Sequence, residues 1–296
     1  SSPPVALTDG LLNTLEGCST FSDANGDLLF YSDGVNVFGK NHTIMTYTDG
    51  TLANNLLGNP SATQSGMIIP KPLSTSIYYL FTVTNNNSST GFNVYTIDMS
   101  LNKGNGQLID EDGDGAFFVE LQGGSWTEKV AAVKGQDCNT FWVVTATENR
   151  FYSYLIDENG VETIPVISSV PTNIEKRGYL KLSPDGTKLA VANQGSAGSI
   201  PNSGIIYNFD NLTGIVDTDE TYLIDGIGDG QAYGIEFSVD SKKLYISTVS
   251  GFRYGLSGWE YENEIDFPGL NNPVSYKLFQ FDLTATNIPN SRSLIH

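Results

Sequence analysis

Histidine is nearly missing from this chain of 296 residues; only His42 and His296 are present. A Ser-His-Asp or Cys-His relay needs an imidazole within hydrogen-bond reach of the nucleophile. His42 alone lies inside the chain, and its neighbours Lys40, Asn41 and Thr43 read as a turn. The same scarcity excludes a histidine-rich zinc centre. Metal-free carboxylate chemistry stays open, although no pair of acids is marked out by spacing alone. Positive charge is also scarce: 15 Lys+Arg stand against 33 Asp+Glu, a net charge of −18. That balance speaks against a nucleic-acid partner, which needs clustered cations. No apolar run approaches the roughly 18 to 20 residues required to span a bilayer, so no transmembrane segment is expected.

What is present is enough for a packed core, with 39% hydrophobic and 11% aromatic residues. Nothing reads as a long amphipathic helix. Strand-like runs recur instead, separated by Gly, Asn, Asp and Pro turns. Few lysines beside many Asn, Ser, Thr, Gly and Tyr suit an exported bacterial protein. The chain opens on Ser1, and Ser291–His296 reads as the start of a strand, so a piece of a longer chain is expected.

One unit repeats. An apolar strand leads through a tight Asp, Asn or Gly turn into a second strand, and a third follows that is rich in aromatics. Its clearest copy runs from Gly178 to Asn193 and continues at Gly204–Asp210; another runs from Ala232 to Ser247 and continues at Tyr276–Asp282. The first copy covers Gly17–Ser32 and Val35–Phe38, and two less regular ones start at Ser65 and Lys129. Starts near residues 17, 65, 129, 178 and 232 give a period close to that of four-stranded propeller blades. The runs Leu189–Ala192, Phe141–Val144 and Tyr79–Val83 are apolar on both faces, as strands sandwiched between neighbouring blades require. Asp185-Gly186 and Asn25-Gly26-Asp27 supply the positive φ of tight hairpins. The expected fold is all-β: one propeller domain over 1–296, with five blades of four antiparallel strands visible and both ends incomplete. A sandwich or a β-helix accounts for these features less well.

Two stretches are distinctive: Leu15–Gly34 with Val37–Met45, and Leu57–Pro72 followed by Ile77–Val83. They resemble the N-terminal propeller of Bacteroidetes-type surface proteins exported by type IX secretion and linked to gliding motility. Glu128-Lys129, Gly178–Lys181 and Ala232–Phe237 continue the pattern. The resemblance implies a seven-bladed ring, export to the cell surface or beyond, and passage through the type IX translocon. It carries no enzymatic activity over to particular residues.

Three sets of residues are candidates for chemistry. Asp110, Asp112 and Asp114 alternate ahead of Gly115, like the first half of a calcium loop. The position where an EF-hand places its bidentate Glu holds Leu121, so only a looser calcium loop, or a solvated acidic turn, is expected. Propeller geometry gathers the residues that enter the innermost strands around a channel mouth, here Glu16, Gln64, Glu128, Lys129, Lys176, Arg177, Gln231 and Tyr233. Such groups either bind a ligand or satisfy backbone and one another in a wet channel. The third set lies in the long insert 251–270, where Tyr254, Trp259 and Tyr261 are suited to anchoring a partner. Cys18 is expected as a small buried residue of an innermost strand, and Cys138 in a turn.

These readings converge on a non-catalytic binding or adhesion propeller at the bacterial cell surface, meeting a protein or a glycan. Two alternatives stand beside it. One is a lactonase-like propeller hydrolase, because Leu182–Asn193 also resembles repeats of such enzymes. The other is a component or cargo of the secretion and gliding machinery.

Overall fold

A computed structural model describes residues 7–85, 87–111, 113–194, 203–224, 231–250, 254–255, 258–259 and 275–296. These residues form two compact units, one from 1–128 with 156–163, the other from 129–155 with 164–296. Both are all-β.

In the first unit, β1 (Ser19–Ser22), β2 (Leu28–Ser32) and β3 (Val37–Gly39) make a three-stranded antiparallel sheet. A second sheet holds six strands: β4 (Thr46–Tyr47), β5 (Gly66–Pro70), β6 (Ile77–Val83), β7 (Phe92–Asp98), β8 (Gln107–Ile109) and β9 (Val119–Gln122). Its order is β4-β8-β7-β6-β5, with β9 also on β7. Four strands per blade therefore do not hold here. The reason is local: past β3 the backbone turns at His42 (φ 61°), and β4 leaves its own sheet to run parallel to β8. The Gln107 side chain donates to Thr46 Oγ1 (2.9 Å) and holds β4 there. Phe30, Val37, Met45, Leu80, Tyr95 and Ile97 pack together as the core of these two sheets.

The second unit follows the repeat more closely. Its first sheet contains β10 (Val130–Lys134), most of β11 (Phe141–Asp157) and β13 (Val166–Ile174). Two strands are expected across β11; one continuous strand of 17 residues runs through instead. Glu148, at φ 51° among three exposed residues, divides it, so that 141–145 pairs with β10 and 150–153 with β13. Its last residues, Ile156–Asp157, hairpin onto β12 (Gly160–Val161) and belong to the first unit. Next come β14 (Leu180–Leu182), β15 (Lys188–Asn193), β16 (Ser203–Asp210) and β17 (Ile215–Ile224), a four-stranded antiparallel meander. The last sheet joins β18 (Gln231–Phe237) and β19 (Lys243–Ser250) to later strands. Within the insert, β20 (Tyr254–Gly255) and β21 (Gly258–Trp259) form a small ribbon. The sheet is completed by β22 (Ser275–Asp282) and β23 (Ser293–Leu294), the strand expected from the final residues.

Strand alternation explains the packing in this unit. Leu189 and Val191 of β15 point to one side, against Trp142, Val144 and Phe151. Ala190 and Ala192 point to the other, against Ile235, Phe237 and Ile246. These four residues of β15 are fully buried. Large side chains on one face and alanines on the opposite one let the next sheet approach closely, and β15 does lie against β18. A sheet covered on both faces by neighbouring sheets is propeller-type stacking; an aligned sandwich would leave one face of each sheet to solvent.

The tight turn recurs atom for atom. Ser183 Oγ donates to Asp185 Oδ1 (2.6 Å), and the same hydroxyl accepts from Lys188 N (2.9 Å). Ser238, Asp240 and Lys243 repeat these bonds at 2.6 and 2.9 Å. Gly186 (φ 71°) and Ser241 (φ 58°) hold the left-handed position, as does Gly26 (φ 89°) in the turn built on Asp23.

Candidate functional site

Among the residues expected at a channel mouth, Glu128 and Lys129 turn their side chains onto the backbone of a neighbouring repeat. Glu128, 1% exposed, accepts from the backbone N–H of Thr63 (2.9 Å) and from its hydroxyl (2.7 Å) through Oε2. Gln64 N donates to the Glu128 carbonyl (3.2 Å). In the second unit Lys129 is fully buried and donates to the carbonyls of Arg177 (2.6 Å), Ala192 (2.9 Å) and Gly178. Three acceptors match the three N–H donors of an ammonium group. Arg177 thus enters through its carbonyl. Tyr233 accepts from Tyr179 N (2.9 Å) and meets the Tyr179 ring edge-on at 5.9 Å. Glu16 is exposed. The Glu128 and Lys129 side chains serve the joints between successive repeats.

In the acidic loop, Asp110 accepts from Gly113 N (2.8 Å) and Gly115 N (2.9 Å), one amide on each carboxylate oxygen, while Asp114 accepts from Ala116 N (2.7 Å). Both side chains fold the loop onto itself. Asp112 lies outside the described residues, among which no group of three or more acidic, His or Cys side chains is placed to hold a metal. In the insert, Tyr254 and Trp259 are paired across the β20–β21 ribbon, and Tyr261 lies outside the described residues. Cys18 corrects an expectation: it precedes β1 instead of sitting within a strand, and it is exposed, as is Cys138. Burial falls instead on the preceding Gly17, where a Cβ would stand 2.4 Å from Ser65 N. His42 is more engaged than a turn residue needs to be. Its Nδ1 lies 3.0 Å from the Tyr31 hydroxyl and its Nε2 3.4 Å from Asp9.

A cleft of about 230 Å³ in the first unit was not anticipated. Strands β6 and β7 supply Tyr79 and Thr96, the segment before β9 supplies Glu111, Phe117 and Phe118, and the β12 hairpin supplies Asn159 and Thr163. Glu111 is its polar centre. Its Oε2 accepts from Thr96 Oγ1 (2.7 Å), and its Oε1 lies 3.4 Å from the Tyr79 hydroxyl and 3.3 Å from Lys71 Nζ. Burial, and then the Glu111 charge, push the Tyr79 phenol above the ordinary tyrosine value, so it remains a donor. Phe117 leans on Tyr47 with ring centroids 4.5 Å apart, and Phe118 on Tyr95 at 5.7 Å. The residue types were visible in the sequence; their meeting was not, because they come from four separate stretches.

No family model matches the chain. No curated protein matches it either. Solved structures that resemble it include the Cps50 (Swd1) β-propeller domain of Myceliophteria thermophila, at 12% identity and a TM-score of 0.46, over 94% of this chain and 72% of that one. A putative 6-phosphogluconolactonase from Bacteroides fragilis aligns at 11% identity and 0.42, over 95% and 80%. The tricorn protease aligns at 13% identity and 0.41, over 97% of this chain, which spans only 26% of that one. The chain is all-β and multi-sheet, and it resembles propeller-type structures. Among the described residues no helix is long and apolar enough to cross a membrane.

Proposed function

We propose that this chain is a non-catalytic binding module of an exported bacterial surface protein, recognising a protein or a glycan and passing through the type IX translocon on its way out. One observation carries the reading: the two buried ionisable groups at the inner strands, Glu128 and Lys129, are spent on backbone. Lys129 caps three carbonyls and Glu128 is held by Thr63. A general acid, base or nucleophile has to reach a reacting atom, and neither group retains that freedom. Export and surface display rest on the family resemblance of Leu15–Gly34 with Val37–Met45 and of Leu57–Pro72 with Ile77–Val83, and on a composition poor in lysine.

A second reading, a lactonase-type hydrolase, has Glu111 in its favour, a carboxylate in a cleft with a phenol and a hydroxyl beside it. Proton release from a panel of aldonolactones separates the two. The binding module leaves the panel at the buffer rate; turnover that disappears in Glu111→Gln would establish the hydrolase.

A further inference from the structure

The Glu111 cleft has features that a joint between strands does not require. Its lining combines the rings of Phe117 and Phe118 with the polar groups of Thr96, Tyr79, Glu111 and Asn159. Gly160 keeps it open. At φ 131° it occupies a region other residues rarely adopt, and a Cβ there would come within 3.2 Å of the Tyr79 hydroxyl.

We infer that this cleft is a saccharide subsite that takes one neutral sugar ring of a glycan. The inference rests on the binding-module reading and gives it a ligand class. Volume comes first: pockets for drug-sized ligands run to roughly 300–1,000 Å³, and about 230 Å³ suits a single ring. Charge comes next. Lys71 already stands 3.3 Å from Glu111, so the carboxylate does not call for a cationic ligand. A net charge of −18 disfavours an anionic one. A purely apolar ligand would desolvate Glu111 without replacing its water. Sugar hydroxyls solve that problem: the carboxylate has about four lone-pair sites, three contacts are taken by Lys71, Tyr79 and Thr96, and a ligand hydroxyl can fill the remainder. The C–H face of the ring then lies against the phenylalanines, whose π faces favour such contacts.

The test uses the whole 296-residue chain and defined probes: neutral hexoses and their β-linked and α-linked oligomers, with glucosamine and glucuronate as charged controls, read by saturation-transfer NMR and calorimetry. Glu111→Gln keeps the shape of an exposed side chain, and Phe117→Ala removes a ring; circular dichroism establishes that each is folded. The expected result is a neutral saccharide whose affinity falls about tenfold or more in both variants. Affinity that survives in either folded variant overturns the cleft assignment and leaves a glycan-binding module standing. Binding of the charged controls alone, or of no saccharide, overturns the ligand class, while the lactone panel decides the module reading separately.

Discussion

Lys129 shows how far a residue's sequence context and its role can diverge. An ionisable side chain at the entry to an inner strand reads equally as a ligand-binding group and as a structural one. Burial decides for the second, because an ammonium group withdrawn from water needs an acceptor for each N–H. Lys129→Met preserves length and packing but leaves three carbonyls short of a donor. A loss of about 3 kcal/mol is expected from chemical denaturation, and a loss below about 0.5 kcal/mol would mean water already serves those carbonyls. At the cleft, Gly160→Ala is expected to cost about 1 kcal/mol or more through its backbone alone. It should also quench any ligand signal of the Glu111 cleft, through crowding of Tyr79. A variant with unchanged stability would contradict the positive φ assigned to Gly160. Neither residue's role was legible in the sequence: the partners of Lys129 lie some fifty to sixty positions away (48 to 63), and those of Gly160 were hidden by the same distance problem.

At the scale of the element, the turns were the legible part. Ser183-Pro-Asp-Gly and Ser238-Val-Asp-Ser announce a hydroxyl, a carboxylate and a left-handed position at fixed spacing, and the structure closes both with the same bonds. That local chemistry needs no tertiary information, which is why the repeat starts could be placed within two residues of β1, β5, β10, β14 and β18. Strand partnership was less legible. The two short residues of β4 carry no hydrophobic pattern that distinguishes an antiparallel neighbour from the parallel β8. The turns also set an acid limit. In Asp240 and Asp23 hydrogen bonds from Ser238 and from the Asp27 amide, respectively, hold the carboxyl below its ordinary value. In Asp185 partial burial pulls upward, and bonds from Ser183 and Thr187 outweigh it. A folded value below the unfolded one stabilises above the unfolded value, and the benefit is lost as pH falls through the folded value. Stability should therefore hold from neutrality down to about pH 4 and fall below it. Urea melts at successive pH values check this; a decline already under way between about pH 6 and 5 would point to groups other than these aspartates. Asp185→Ala should lower stability by about 1 kcal/mol or less, since exposure weakens the bonds it removes.

At the scale of the whole molecule, the central feature is sheets that are covered on both faces. Such sheets are clearest in the second unit, where Leu189 and Val191 serve one core and Ala190 and Ala192 another. That double burial was visible beforehand as an apolar run without alternation, a pattern a half-exposed strand does not tolerate. Native-state hydrogen exchange reads it directly, because protection scales with the free energy of the opening needed to reach an amide. The amides of β15 should exchange only on global unfolding, and those at the rim, in β23 and in the second half of β13, through smaller local openings. If β15 exchanges as readily as β23, its two faces are not both covered and propeller-type stacking in this unit is contradicted.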